Sequence, residues 1–356
     1  MSKARNQLLI LDVNPYGILT DTVKWIEYLS KNWDISLVCF KSRHSEKNRP
    51  YNVKFIELPN SNNRKIKGLL FIIVCVFKLL FFKGKTLVVY FPFCEILKKL
   101  FPQKRMLLDI RTLSVNPDAN LREKANSRIK MTCKKYDTVS VISKGVGEEL
   151  GLNNYVVLPL GSDVISSKPK DYLTAINLLY VGTLNNREIG ETILGVKDFV
   201  SNNPEVPLKY TIIGFGTTVE EEKIRRLTQE NSLEKVIQFV GRVRHSALRK
   251  YFDSSNVGVS FVPITPYFNY QPPTKTFEYC LSGLFCIATN TYANAEVVDV
   301  NNGYLIEDSS DGFCSALNYF WEKRFEINYG KVSNSLKDYS WSIIVKDILH
   351  PILCNL

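Results

Sequence analysis

Lys275 and Glu278 stand three residues apart in PPTKTFEYCLSGLFCIAT, behind the proline pair Pro272 and Pro273 and ahead of Gly283. On a helix that spacing brings both side chains to one face. Prolines at the start and a glycine past the end are helix boundary signals, so the segment reads as a short helix followed by the strand FCIAT. An ammonium group can neutralise a pyrophosphate, and a carboxylate beside it can accept hydrogen bonds from ribose hydroxyls. A nucleotide diphosphate sugar needs both. A surface salt bridge has the same i, i+3 spacing, yet it asks for neither the prolines nor the glycine.

A second candidate is GFGTT, with Gly214 and Gly216, between the strand-like KYTII and the helix-like TVEEEKIRRLTQEN. Backbone N–H groups at such a turn can approach a phosphate. The third glycine of the dinucleotide fingerprint is missing, which argues against NAD. A plain strand-to-helix turn would use the same residues.

The three histidines, His44, His245 and His350, are too far apart in sequence for a local ligand set, and the chain has no DxD. No metal or cofactor is expected. The eight cysteines, Cys39, Cys75, Cys94, Cys133, Cys280, Cys286, Cys314 and Cys354, form no CxxC pair, and no secretory leader is evident. They read as buried thiols in a reducing, cytoplasmic compartment.

The elements that must position these residues come in two series. LLILDV, ISLVCF, TLVVYF, MLLDI and TVSVIS are apolar β-type runs separated by helix-length stretches such as DTVKWIEYLSKN. The pattern restarts with INLLYVG, KYTIIGFG, VIQFVG, VGVSFVP and FCIAT. Strands this apolar suit parallel sheets covered on both faces, and each such sheet carries its ligand crevice at the carboxyl ends of its strands. The expectation is an α/β protein with two Rossmann-like doubly wound lobes, 1–163 and 164–338, facing a central cleft. A terminal helix over 339–356 follows, able to pack back toward the first lobe.

Charge divides the same way. Through Leu150 there are 27 Lys and Arg against 13 Asp and Glu, a net +14, while the remaining 19 against 22 give −3. Either the first half faces something anionic, a phosphate-bearing acceptor or an acidic lipid surface, or it carries a lysine-rich solvated face. LLFIIVCVFKLLFF at 69–82 contains Lys78 and is shorter than the roughly 20 residues a bilayer span needs. With Lys65 and Lys67 before it and Lys83 and Lys85 after it, it packs inside the first lobe or lies at a membrane interface.

The run PxKxxEYxxxG followed by a strand resembles the donor-site motif of the family 4 retaining glycosyltransferases of the GT-B fold, the "glycosyl transferases group 1" that build bacterial surface polysaccharide and lipopolysaccharide. LLYVGT with Gly182, TIIGFG, IQFVGRVRHSALRKYFDSSNVGVSFVP, the Glu296 and NGYLIED region, and VLPLGSD at 157–163 agree in order and spacing. The likeness runs over roughly 155–325 and is weaker before it, where ISKGVGEEL matches best.

The resemblance implies that Glu278 holds the donor ribose, that Lys275 lines the donor loop, and that Gly182, Gly214 and Gly216 let the chain pass close to the nucleotide. Arg242 and Val243 would border the base. Relatives place a basic pair after the first strand of this lobe; Thr183 stands where the first cation is usual, and Arg187 is the candidate for the remaining phosphate ligand. The acidic residue eight positions before the ribose glutamate is replaced by Tyr270. In the first lobe, Gly17 matches the loop beneath the donor phosphates, and Asp109 with Arg111 match acceptor-side polar positions, the alternative being an ion pair at the sheet edge.

The implied activity is a metal-independent, retaining hexosyltransferase-type transfer from a nucleotide diphosphate sugar to a hydroxyl of a growing, lipid-linked surface glycan such as capsule, O-antigen or exopolysaccharide. The implied partners are that donor, the glycan acceptor and the cytoplasmic face of the inner membrane, with no nucleic acid. A nucleotide-sugar epimerase of the same architecture, or a degenerate scaffold of a polysaccharide-assembly complex, are the alternatives; the scarcity of histidine weighs against the epimerase.

Overall fold

The computed structural model describes residues 5–41, 49–60 and 63–356; His44 lies outside the described residues. The chain divides into two units, Met1–Gly161 with Trp341–Leu356, and Ser162–Ser340.

In the first unit the strands are β1 (Asn6–Leu11), β2 (Trp33–Phe40), β3 (Val53–Leu58), β4 (Lys85–Val89), β5 (Met106–Ile110), β6 (Thr138–Val141) and β7 (Val156–Val157). They form a parallel sheet in the order β3-β2-β1-β4-β5-β6-β7. The helices between them are α1 (Thr20–Leu29), α2 (Arg64–Phe81), α3 (Glu95–Leu100), α4 (Ala119–Cys133) and α5 (Lys144–Glu149). Every residue of β5 is buried, as a central strand covered on both faces requires. Strand β3, VKFIEL, interleaves charged residues and lies at the sheet edge, so it has no continuous apolar run to announce it.

Helix α2 begins at Arg64, with the Asn63 side chain accepting from the Lys65 and Ile66 amides, and it ends at Phe81 rather than Phe82. Phe71, Cys75 and Leu79 on one face are fully buried, while Ile66, Leu69, Ile73, Phe77 and Leu80 are exposed. The segment is thus neither wholly core nor wholly surface. The C-terminal stretch forms helical turns from Trp341 to Asn355 with a π-helical middle, Ile344–Leu349, ahead of Pro351. It belongs to the first unit, where Trp341 is buried and Trp33 meets the His350 ring edge-on at 5.9 Å.

The second unit repeats the plan with β8 (Ile176–Thr183), β9 (Leu208–Phe215), β10 (Ile237–Gly241), β11 (Val257–Ser260), β12 (Phe285–Thr289) and β13 (Gly303–Ile306). Their order, β10-β9-β8-β11-β12-β13, is again parallel throughout. The helices are α6 (Ile189–Asn202), α7 (Thr218–Glu230), α8 (Arg249–Ser254), α9 (Thr274–Leu281), α10 (Tyr292–Ala295), α11 (Ser310–Lys323) and α12 (Tyr329–Ser335). Leu178, Tyr180, Tyr210, Ile212, Phe261, Phe285 and Phe313 belong to its core. In both sheets the order reverses beside the first strand, which is where an open parallel sheet opens a crevice.

Six cysteines are buried, as expected, but Cys314 is half-buried and Cys354 exposed, and all eight are free thiols. Cys314 lies on α11 of the second unit and Cys354 on the terminal helix His350–Asn355, each on a side that reaches solvent.

Helix α9 ends in a Schellman motif: the Gly283 amide donates to the Cys280 carbonyl at 2.9 Å and the Leu284 amide to the Tyr279 carbonyl at 2.9 Å. Gly283 takes φ +75°, and a Cβ there would come within 2.2 Å of the Tyr329 ring. Left-handed strain and overpacking therefore add. Gly283→Ala is expected to lower unfolding stability by about 2–4 kcal/mol, read from denaturant titration; an unchanged midpoint would contradict the motif.

Candidate functional site

Strands β8 and β11 pair through Val257 with Leu178 and Gly258 with Leu179, and no further. Beyond that point they diverge. The Val181 amide, released from the ladder, donates instead to the Tyr279 hydroxyl of α9 at 2.8 Å. Tyr279 sits deep because Gly258 leaves room: a Cβ at 258 would lie 2.2 Å from the tyrosine ring. Further along α9, Thr276 shares a 2.7 Å hydrogen bond with Ser260 and donates to Asn294 at 3.1 Å. These buried bonds fix the helix against the split in the sheet.

The split opens into a cavity of about 410 Å³ whose walls include Tyr180, Gly182, Thr183, Arg187, Phe268, Lys275 and Glu278. Lys275 and Glu278 do share a face of α9, behind Pro272 and Pro273. The i, i+3 pair is not a surface salt bridge, since Lys275 is only 8% exposed.

Lys275 occupies the first turn of α9, where the helix dipole already disfavours a cation. Its Nζ lies 4.1 Å from the centre of the Tyr180 ring and 3.4 Å from the Phe261 carbonyl oxygen. Burial, aided by the nearby Arg187 charge, pushes its pKa down to about 7 against the weaker opposing pull of Cys286 and Glu278.

Arg187 comes from the loop after β8. Its neighbours Asn186 and Glu188 both adopt left-handed backbone, φ +54° and +48°, a conformation costly for glutamate. The loop is nonetheless tied down. The Arg187 amide donates to the Leu184 carbonyl at 3.2 Å, Asn185 Oδ1 accepts from the Thr217 amide at 2.9 Å, and Glu188 pairs with Lys223 at 3.1 Å. The guanidinium stands 4.3 Å from the centre of the Phe268 ring, and its buried Nη1 has no hydrogen-bond partner. Burial pushes its pKa down as well. Two half-desolvated cations and a helix N-terminus thus line one cavity, and an unpaired buried donor is costly without an acceptor.

Glu278 keeps 15% of its side chain exposed, and its Oε1 lies 3.9 Å from His245 Nε2. The carboxylate can accept hydrogen bonds from a ligand entering the cavity. Tyr270, where relatives have an acidic residue, packs its ring at 5.3 Å against Tyr292.

Of the remaining sequence candidates, Gly182 lines the cavity, and the others fall elsewhere. Gly214 pairs with Gly182 across β8 and β9, and a Cβ at 214 would strike the Gly182 carbonyl oxygen at 2.2 Å. Around Gly216 the space is filled by Asn185, Leu184 and Glu220. Arg242 is exposed with its guanidinium 4.6 Å from the Phe215 ring centre, and Val243 is half-buried beside it. None of these four is in the cavity wall. Gly17, in the first unit, takes φ +95° and has open space around it.

Asp109 and Arg111 are both buried in the first unit. Arg111 pairs with Asp21, donates to the Leu158 carbonyl at 2.7 Å and lies 3.6 Å from Asp109, which accepts from Ser140 at 2.6 Å. Burial raises the Asp109 pKa to about 6 against the lowering effect of Arg111. The ion pair is therefore present, but not at a sheet edge: β5 lies between β4 and β6. Among the described residues no three His, Cys, Asp or Glu side chains converge as a metal-binding group.

Sequence reasoning missed Tyr180 and His245 as site residues and did not single out Phe268 within the loop ITPYFNYQ, whose side chains were a candidate source of sugar contacts. His245 was weighed only as a metal ligand, and Tyr180 read as part of the strand INLLYVG. The cue available was position: Tyr180 lies towards the carboxyl end of β8, the strand that borders the switch point.

Residues 175–323 match the family model described as glycosyl transferases group 1. Sucrose-phosphate synthase from Thermosynechococcus elongatus is similar in structure, with TM-score 0.76 at 16% identity over 99% of this chain and 100% of that one. The Anabaena protein HepE in complex with UDP gives 0.73 at 12% identity over 99% and 100%. The lipopolysaccharide outer core galactosyltransferase WaaB in its apo form gives 0.73 at 13% over 98% and 100%. At such identities the likeness is one of fold. No curated protein matches the sequence. Most of the second unit thus matches the glycosyl transferases group 1 model, and the chain, with its two parallel-sheet units, has the GT-B fold.

Proposed function

We propose that the cavity of the second unit binds a nucleotide diphosphate sugar and that the chain transfers its glycosyl group, with retention, to a hydroxyl of a lipid-linked surface glycan. The observation that carries the reading is the pair of uncompensated cations, Arg187 and Lys275, beside Glu278 at the switch point. A diphosphate would satisfy the Arg187 donor and restore the charge of Lys275, and ribose hydroxyls would donate to Glu278. As the sugar departs, the same cations would stabilise the charge growing on the diphosphate, without a metal ion. Gly214, Gly216, Arg242 and Val243 remain candidates for the nucleotide's outer contacts, and Gly17, Asp109 and Arg111 for support on the acceptor side. UDP bound to HepE and the galactosyltransferase WaaB support a nucleotide sugar and a surface glycan as the substrate classes.

A panel of nucleotide sugars, scored by release of the nucleoside diphosphate with lipid-linked acceptors, tests this. Release is expected to depend on acceptor and to persist in a chelator. Incubation without acceptor should give slow hydrolysis; an isomerised nucleotide sugar would indicate an epimerase, and failure to bind any nucleotide diphosphate would indicate a scaffold.

Lys275 also gives the site a pH dependence. A diphosphate esterified at both ends has no proton titrating near neutrality, so the proton taken up on binding goes to Lys275, whose pKa in the free protein is about 7. Affinity for the nucleotide sugar is expected to fall as pH rises above that value, by up to about tenfold per unit. Calorimetric titration at constant ionic strength measures the slope. A flat profile would mean that Lys275 does not meet the diphosphate.

A further inference from the structure

We infer that the outer face of α2 docks on an anionic lipid bilayer. Ile66, Leu69, Ile73, Phe77 and Leu80 are 57%, 61%, 55%, 57% and 58% exposed. Their spacing of three and four residues keeps them on one stripe, which extends over roughly 20 Å of helix at 1.5 Å per residue. The stripe is not misplaced core. Phe71, Cys75 and Leu79 on the opposite face are fully buried, so the helix is already anchored when its second apolar face meets solvent. A soluble monomer rarely leaves a continuous apolar surface of this kind uncovered.

The charges around the stripe indicate what covers it. From Leu58 to Cys94 the chain carries Arg64, Lys65, Lys67, Lys78, Lys83 and Lys85 and no Asp or Glu. Lys65 stands in the first turn of α2, Lys83 lies just past its end, and Lys104 joins the latter by donating to the Phe82 carbonyl at 2.5 Å, whereas Lys67 turns its ammonium over the buried Phe40 ring at 4.4 Å. Apolar side chains flanked by lysines at both ends match a helix lying in the bilayer interface, its stripe among the acyl chains and the Lys65 and Lys83 ammonium groups at the lipid phosphates. No described helix is long and apolar enough to cross a membrane, so the contact is peripheral. A second copy of the chain would bring the same lysines against each other, which opposes a symmetric pairing through this face. The inference does not depend on what the cavity of the second unit binds.

The test is co-sedimentation of the full chain with vesicles of phosphatidylcholine alone and of phosphatidylcholine mixed with phosphatidylglycerol. The wild-type chain is expected to sediment with the anionic vesicles and to be released by about 0.5 M salt. The double substitution Ile73→Ser and Phe77→Ser is expected to weaken that binding at least about tenfold. Lys65→Gln and Lys83→Gln should each weaken it about fivefold. Unchanged thermal melting and unchanged nucleoside diphosphate binding would show that the variants remain folded. The inference is overturned if the wild-type chain stays in the supernatant with both vesicles, or if the serine pair binds as the wild type does. It is equally overturned if the wild-type chain is a dimer in solution that the serine pair dissociates, since the stripe would then join two copies.

Discussion

Replacing Lys275 with methionine is expected to lower kcat by about 10²- to 10³-fold and, at the same time, to make the fold more stable at neutral pH and below. Methionine fills the space of the lysine stem and keeps contact with the Tyr180 ring, while removing an ammonium that is buried beside Arg187 and a helix N-terminus. The folded-state pKa of Lys275, about 7, lies below its ordinary value of 10.5. Between those values the unfolded chain binds the proton more readily, so wild-type stability rises with pH across that window. Below it the ammonium stays charged and buried, and its destabilising effect is complete. The variant should therefore melt above the wild type at about pH 6, with the gap closing as pH rises towards 10. Steady-state kinetics and thermal melts at two pH values check both halves. A variant that loses activity and also melts lower under acidic conditions would mean that the free protein already neutralises the lysine.

Glu278→Gln is expected to lower kcat/KM by about ten- to a hundredfold, the size of a lost hydrogen bond to a charged acceptor. Because ribose lies away from the bond that breaks, the loss should fall mainly on KM. A donor whose nucleoside lacks its ribose hydroxyls provides the control. It should bind the wild type and the variant alike, as a double-mutant cycle requires of the two ends of one interaction. If the variant discriminates against the deoxy donor as strongly as the wild type does, the carboxylate is not the ribose acceptor.

Much of this was legible in the sequence, for identifiable reasons. Apolar runs such as INLLYVG and FCIAT can be little else than buried parallel strands, and they mark β8 and β12 within a residue. The strands passed over were the short or interrupted ones: β3 with its charged residues, the two-residue β7 and the four-residue β13. Lys275 and Glu278 were legible because helix periodicity, prolines and glycine all pointed to one face. Arg187 could be named as a cation but not placed, since its position depends on two left-handed neighbours that sequence spacing does not reveal. The burial of Asp109 and Arg111 was hidden for a different reason. Whether a polar pair at the end of a strand faces solvent depends on what covers it, and here Asp21 and Trp25 of α1 cover Arg111. Helix α2 looked undecided because both of its faces are apolar, and the fold buries one of them.

The central claim is that Arg187, Lys275 and Glu278 form a nucleoside diphosphate site. Calorimetric titration of UDP, GDP and ADP into the wild-type chain and into Lys275→Met and Glu278→Gln tests it most directly. One of the diphosphates is expected to bind the wild type, with affinity at least about tenfold weaker in each variant. Absence of binding by all three, or equal binding by wild type and both variants, would contradict the claim.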